Sequence, residues 1–241
     1  MRGMRSLLLF ALVACSKAGD QPADQPAPAP GDVVDEGTFV TTLDGAVTAK
    51  ETFRITKTTD RLYLTASSAT TPESKVQNQQ QGRLETDLSY KPLAMTYAYK
   101  AAKDGFRFVL GGSPLVLDRT RDDGQQPEHV EAKGPIDVYI EGPGVIAMQA
   151  LCTVDKPTTL NTISDFESAY KGKILVKSVT KAATLTRLAI KFLDNFELEV
   201  FCDGRTLIGS GLRSNHLWNV RAGSEAVFEP ARDAPLPTTP E

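Results

Sequence analysis

Chemistry in this 241-residue chain would have to run through few side chains, because it holds three cysteines, two histidines and a single tryptophan. Cys15, Cys152 and Cys202 form no C-x-x-C pair and no zinc-ligand spacing, so neither a metal centre nor a dithiol redox centre is expected. A Ser–His–Asp site would need His129 or His216, and no serine is singled out beside either. His129 sits in the polar stretch DDGQQPEHVE and is read as solvent-facing; His216, in RSNHLWNV, is read as packing at the rim of the fold. Gly209-Ser210-Gly211 lacks the spacing of a nucleophile elbow. Gly142-Pro143-Gly144-Val145-Ile146-Ala147 formally fits G-x-G-x-x-A, but no βαβ alternation surrounds it, so it is read as a tight turn. The run Asp118 to Gly124 invites a calcium loop. With Gly124 as the loop glycine, the positions that need oxygen ligands fall on Arg119, Arg121 and Val130, which excludes that motif. A non-catalytic protein without cofactor or metal is the expectation.

The positive signal is apolar. Tyr97 and Tyr99 would face Phe106 and Phe108 across one hairpin, and Trp218 is the lone indole. In a curved sheet such residues either fill the core or line a ligand cavity. Tyr97, Tyr99, Phe106, Phe108 and Trp218 are therefore the candidate ligand-binding set.

The elements that would position them are strands. Phe53 and Ile55 alternate with Thr52, Arg54 and Thr56; Leu62, Leu64 and Ala66 repeat the pattern, as do Leu84, Thr86 and Leu88. Met95, Tyr97 and Tyr99 are answered by Phe106, Phe108 and Leu110 across Asp104-Gly105. That dipeptide suits a type I′ turn, and Asp44-Gly45 and Asp203-Gly204 suggest two more hairpins. Ile136, Val138 and Ile140 alternate, as do Phe196, Leu198, Val200 and Cys202 with Glu197 and Glu199 pointing out. Helix is scarce: Val145–Leu151 is one short candidate, and the S-x-x-E spacing from Ser164 to Glu167 offers a capping box for a second. Lys181 to Asp194 could be either, and its threonines favour strand. The fold class expected is mainly β, a single antiparallel curved sheet forming a half-barrel or barrel-like domain with one or two short helices.

The formal charge is −3, with lysines and arginines scattered rather than gathered into a basic patch, so a nucleic-acid partner is not expected. Residues 15–35 and 229–241 are rich in proline and poor in large apolar side chains, so both read as disordered. The folded body should span residues 36–228 as one domain.

The N-terminus supplies an address. Arg2 and Arg5 precede the apolar run Leu7 to Val13, which is too short to cross a hydrocarbon core that needs roughly 20 helical residues. Leu12-Val13-Ala14-Cys15 resembles the lipobox of bacterial lipoproteins. The resemblance implies a signal peptide over residues 1–14, cleavage before Cys15, acylation of its Sγ and attachment to a membrane. Ser16 follows where an aspartate would favour inner-membrane retention, so the implied site is the cell envelope, at the outer membrane facing the periplasm. Loss of residues 1–14 would move the formal charge from −3 to −5 by removing Arg2 and Arg5. The proline-rich segment behind Cys15, as polyproline II, could hold the body up to roughly 50 Å from the bilayer.

With Cys15 acylated in an oxidising compartment, Cys152 and Cys202 become a disulfide candidate; two buried thiols are the alternative. The order of features from Gly37-Thr38-Phe39 through Lys91-Pro92-Leu93 is loosely similar to β-rich bacterial envelope proteins, with curved sheets of the LolA/LolB type. That resemblance implies a partner that is a lipid or another envelope protein. An apolar or amphiphilic ligand such as lipid is the first functional expectation, and a protein-interaction or structural role in the envelope is the alternative.

Overall fold

The computed structural model describes residues 29–74, 77–101, 105–122, 126–132, 134–140, 144–164, 170–192 and 196–236. The lipobox with Cys15, most of the tether, Asp104, Gly142-Pro143 and the expected capping box beyond Ser164 lie outside these residues.

The described residues form one antiparallel sheet of 14 strands. Its N-terminal meander runs β1 (Asp32–Leu43), β2 (Ala46–Lys57), β3 (Arg61–Thr70), β4 (Asn78–Asp87), β5 (Pro92–Ala101), β6 (Gly105–Gly111), β7 (Val116–Arg121) and β8 (Glu128–Glu131). Its C-terminal meander runs β9 (Thr158–Ser164), β10 (Tyr170–Ala182), β11 (Leu185–Phe192), β12 (Phe196–Asp203), β13 (Thr206–Leu212) and β14 (Leu217–Arg221). β1 pairs with β14, joining the meanders side by side and leaving β8 and β9 as the two ends of an unclosed, curved sheet. The expected fold class is therefore observed, and the described part of Lys181–Asp194 is strand on both sides of an Ala183-Thr184 turn.

Local chemistry sets the turns. Asp44 and Gly45 both take positive φ, 50° and 81°, as a type I′ turn between Leu43 and Ala46 requires. At the next expected hairpin the turn sits one residue later. Asp203 pairs with Thr206, and Gly204 (φ 57°) takes the first central position, where a type II′ turn places glycine. Register shifts mark β1–β2, β4–β5, β10–β11 and β12–β13, and such bulges bend a sheet.

The concave side holds the main core, and the connector from β8 to β9 fills it. Ile136, Val138, Tyr139 and Ile140 are buried, and Val138 bridges to Thr162, covering the edge of β9. Val145–Thr153 then forms a helix, as the sequence suggests over Val145–Leu151, but of the 3₁₀ type. Its three-residue period eclipses i and i+3, so it presents three faces. Ile146, Gln149 and Cys152 share the one directed at β12 and β13. The Gln149 amide donates to the Arg205 carbonyl, and its oxygen accepts from the Leu207 N–H at 2.9 Å. Cys152 is disulfide-bonded to Cys202 on β12. Closing a loop of that length contributes about 4 kcal/mol on the chain-entropy account. This helix is the plug of the half-barrel.

The expected domain limits need correction at both ends. Asp32 to Asp35, assigned to the tether, are the start of β1. Glu229 to Asp233, assigned to a disordered tail, finish an α-helix, α1 (Glu225–Asp233). Proline content misleads there because α1 is held by tertiary contacts: Phe228 and Ala231 are buried against Phe201, Ile208 and Trp218 on the convex face. Arg213 and Arg187 donate to the carbonyls of Arg232, Ala234 and Pro235, satisfying groups the helix end leaves open.

Candidate functional site

Between the concave sheet and the plug lies a cleft of about 820 Å³, within the size range of small-molecule sites. Its aromatic wall is the β5–β6 hairpin. Tyr97 lies opposite Phe108 and Tyr99 opposite Phe106 in the register, which puts all four rings on the concave face. Tyr99 and Phe106 stack with centroids 4.5 Å apart, Tyr97 and Phe108 at 5.7 Å, and Phe106 meets Phe108 edge-on at 5.0 Å. Tyr97, Tyr99 and Phe106 line the cleft, whereas Phe108 is fully buried beneath them as core.

Trp218 is elsewhere. On β14, Leu217 and Asn219 face the cleft, and the intervening Trp218 points to the convex face, packed with Phe201 and Phe228 under α1. Its inclusion in the candidate set is corrected: strand alternation separates it from the other four.

The opposite wall is aliphatic and mixed. The plug contributes Val145 and Met148, which share one 3₁₀ face, and β11 to β14 contribute Phe192, Leu198, Leu212 and Leu217. A neutral polar border comes from Thr48, Ser68, Thr70, Asn78 and Gln80 at the β2–β4 end. Thr41 donates to Asn219 at 2.8 Å, and the Asn219 amide donates to Ser210 at 3.2 Å, tying the β1–β14 seam together beside the cleft.

Two charged residues line the cleft among the described residues, and neither stood out in the sequence. Arg119 on β7 lies with its guanidinium carbon 5.3 Å from the Phe106 ring centroid and 5.5 Å from that of Phe108, and it donates to Glu128 at 3.4 Å. Such a placement satisfies the cation by π-faces and a carboxylate together. Glu51 on β2 is 3% exposed and accepts hydrogen bonds from the Val145 and Ile146 N–H groups, at 2.8 and 3.1 Å. These are orphan donors at the start of the plug, so Glu51 fastens the plug to the N-terminal meander. Burial pushes its carboxyl up to about 7, against the lowering effect of the two N–H bonds. Gly144 makes the approach feasible: its φ is 156°, and a Cβ there would overlap the Glu51 carboxylate.

The histidines lie outside the cleft. His129, on β8, is exposed with Nδ1 2.6 Å from Asp118 Oδ1. His216 is exposed in a left-handed position after a short 3₁₀ turn, 3.6 Å from Asp44, rather than packed at the rim. No cluster of three metal-ligating side chains occurs among the described residues, and no helix there is long and apolar enough to cross a membrane.

Sheet, plug and cleft together define an open, β-barrel-like domain with an internal apolar site. No family model matches the chain, and no curated protein does. Among solved structures, one similar chain is a DUF1089 family protein from Pseudomonas aeruginosa, at 10% identity and TM-score 0.42, covering 67% of this chain and 88% of that one. Another is a beta-barrel-like protein of domain of unknown function DUF1849 from Brucella abortus, at 10% identity and TM-score 0.48, covering 77% and 93%. At these values they carry no inference about activity.

Proposed function

We propose that this protein is a non-catalytic, lipid-anchored envelope component whose half-barrel holds an apolar or amphiphilic ligand. The observation that carries the reading is the contiguous cleft itself, with stacked Tyr99 and Phe106 on one side and the plug's Val145 and Met148 on the other. Apolar walls reward burial by roughly 25 cal/mol per Å² of ligand surface, and the polar border suits a headgroup at the mouth. The anchor rests on Leu12-Val13-Ala14-Cys15, and the disulfide is in keeping with an oxidising compartment.

One experiment reads both halves of the proposal. Native mass spectrometry of the protein purified from membranes should show a covalent acyl mass and a separate non-covalent adduct. Cys15→Ala should remove the first and leave the second; Tyr99→Ala with Phe106→Ala should do the reverse. A protein that carries no adduct, and takes up no apolar probe when offered one, would sink the ligand reading. Acyl mass that survives Cys15→Ala would sink the anchor.

A further inference from the structure

Resting on the cleft reading above, we infer that Glu51 makes this site selective for amphiphiles whose polar end is a protonated amine. The ammonium pairs with the buried carboxylate, and the tail lies between Tyr99, Phe106 and the Val145–Met148 face of the plug.

The argument starts from the charges available. Among the described residues, the cleft is lined by one acid, Glu51, and one base, Arg119. Arg119 is already engaged by Glu128 and by the faces of Phe106 and Phe108. An anionic headgroup would therefore meet a carboxylate in a desolvated setting and find its counter-ion committed elsewhere. A cationic headgroup meets the opposite situation. A carboxylate offers about four lone-pair sites, and the plug's two N–H groups occupy only part of them. A charge-assisted bond from an ammonium is the stronger kind of partner for what remains.

Among the described residues packed on Glu51, none already does this. Across the β1–β2 ladder it faces Phe39, and across β2–β3 it faces Ser68. The plug residues packed on it, Gly144 to Met148, are all uncharged. Lys50 and Arg54 on its own strand alternate to the convex face. Desolvation is accordingly the largest influence on its carboxyl, which titrates at about 7. A bound ammonium would favour the ionised form, so binding below that pH must release a proton.

The test uses three probes of equal tail length, dodecylamine, dodecanol and dodecanoate, displacing a neutral fluorescent naphthylamine from the full chain. Dodecylamine should bind tightest at about pH 8.5 and weaken roughly thirtyfold by about pH 5.5, following the ionised fraction of Glu51. Dodecanol should change little between the two. Glu51→Gln should abolish the preference for the amine and its pH dependence while keeping dodecanol binding; a thermal melt checks that the variant is folded. The wild-type pH profile stands alone if it is not. Equal binding of amine and alcohol, or tighter binding of dodecanoate, overturns selection by Glu51 and leaves the cleft reading intact. Failure of all three probes to bind overturns both.

Discussion

The two meanders are built from the same alternating sequence pattern, yet they are buried differently. From Leu62 to Ala66 in β3 and from Gly82 to Thr86 in β4 every second residue is buried and the alternate ones stay partly exposed, as in a sheet with one wet face. In β12 and β13 five consecutive residues are buried. The difference is α1, which covers the convex face of the C-terminal meander, whereas among the described residues nothing comparable covers the N-terminal one. Glu199 shows the consequence. Its alternation with Leu198 and Val200 directs it outward, as the sequence suggests, but the outside there is dry. It is 6% exposed and held by Arg213 at 2.5 and 2.9 Å. Alternation assigns a residue to a face; what covers that face decides its environment.

The largest effect that could break this comparison comes from the cover itself. Phe228→Ala should cost about 3–5 kcal/mol in urea unfolding, because its ring is enclosed by Phe201 and Trp218. A loss below about 1 kcal/mol would mean that α1 does not seal the convex face.

Glu51 sharpens the comparison, since it links the N-terminal meander to a plug bonded to the C-terminal one. Its folded value of about 7 lies above the ordinary 4.5, so the stability it contributes is full below 4.5 and is lost as pH rises through 7. The span corresponds to at most about 3 kcal/mol. Unfolding free energies at about pH 5 and pH 8 should therefore differ more in the wild type than in Glu51→Gln. An unchanged difference would place the titration elsewhere.

The smallest effect belongs to the wet face. Arg54 and Glu36 form an exposed ion pair on β2 and β1, 3.0 Å apart. Arg54→Ala should cost less than about 1 kcal/mol, and high salt should shrink the wild-type advantage further. A cost like that of Phe228→Ala would show the N-terminal meander to be covered as well.

Much of the fold was legible in the chain. The hairpin that stacks Tyr99 on Phe106 follows from alternation about a turn, and the short helix at Val145, though not its 3₁₀ type, from an apolar run behind glycine and proline. Glu51 was missed although a signal was present: it shares parity with Phe53 and Ile55, so period two already directs it inward. Lys50-Glu51-Thr52 looks polar enough to hide that. Trp218 was misplaced for the converse reason, because in LWNVR both faces are buried and parity alone does not say which face holds the cleft.

By itself the sequence determined the aromatic hairpin, the alternation of strands such as β2 and β12, and the Asp44-Gly45 turn, because these rest on neighbours a few residues apart and on backbone conformations open to few side chains. It also carries the lipobox resemblance, a motif read without any fold. Only the tertiary structure decided that Glu51 meets the plug 94 positions away, that Cys152 reaches Cys202, and that α1 dries one half of the convex face. These depend on which surfaces a curved, unclosed sheet brings together, and long-range approach leaves no local periodicity to read.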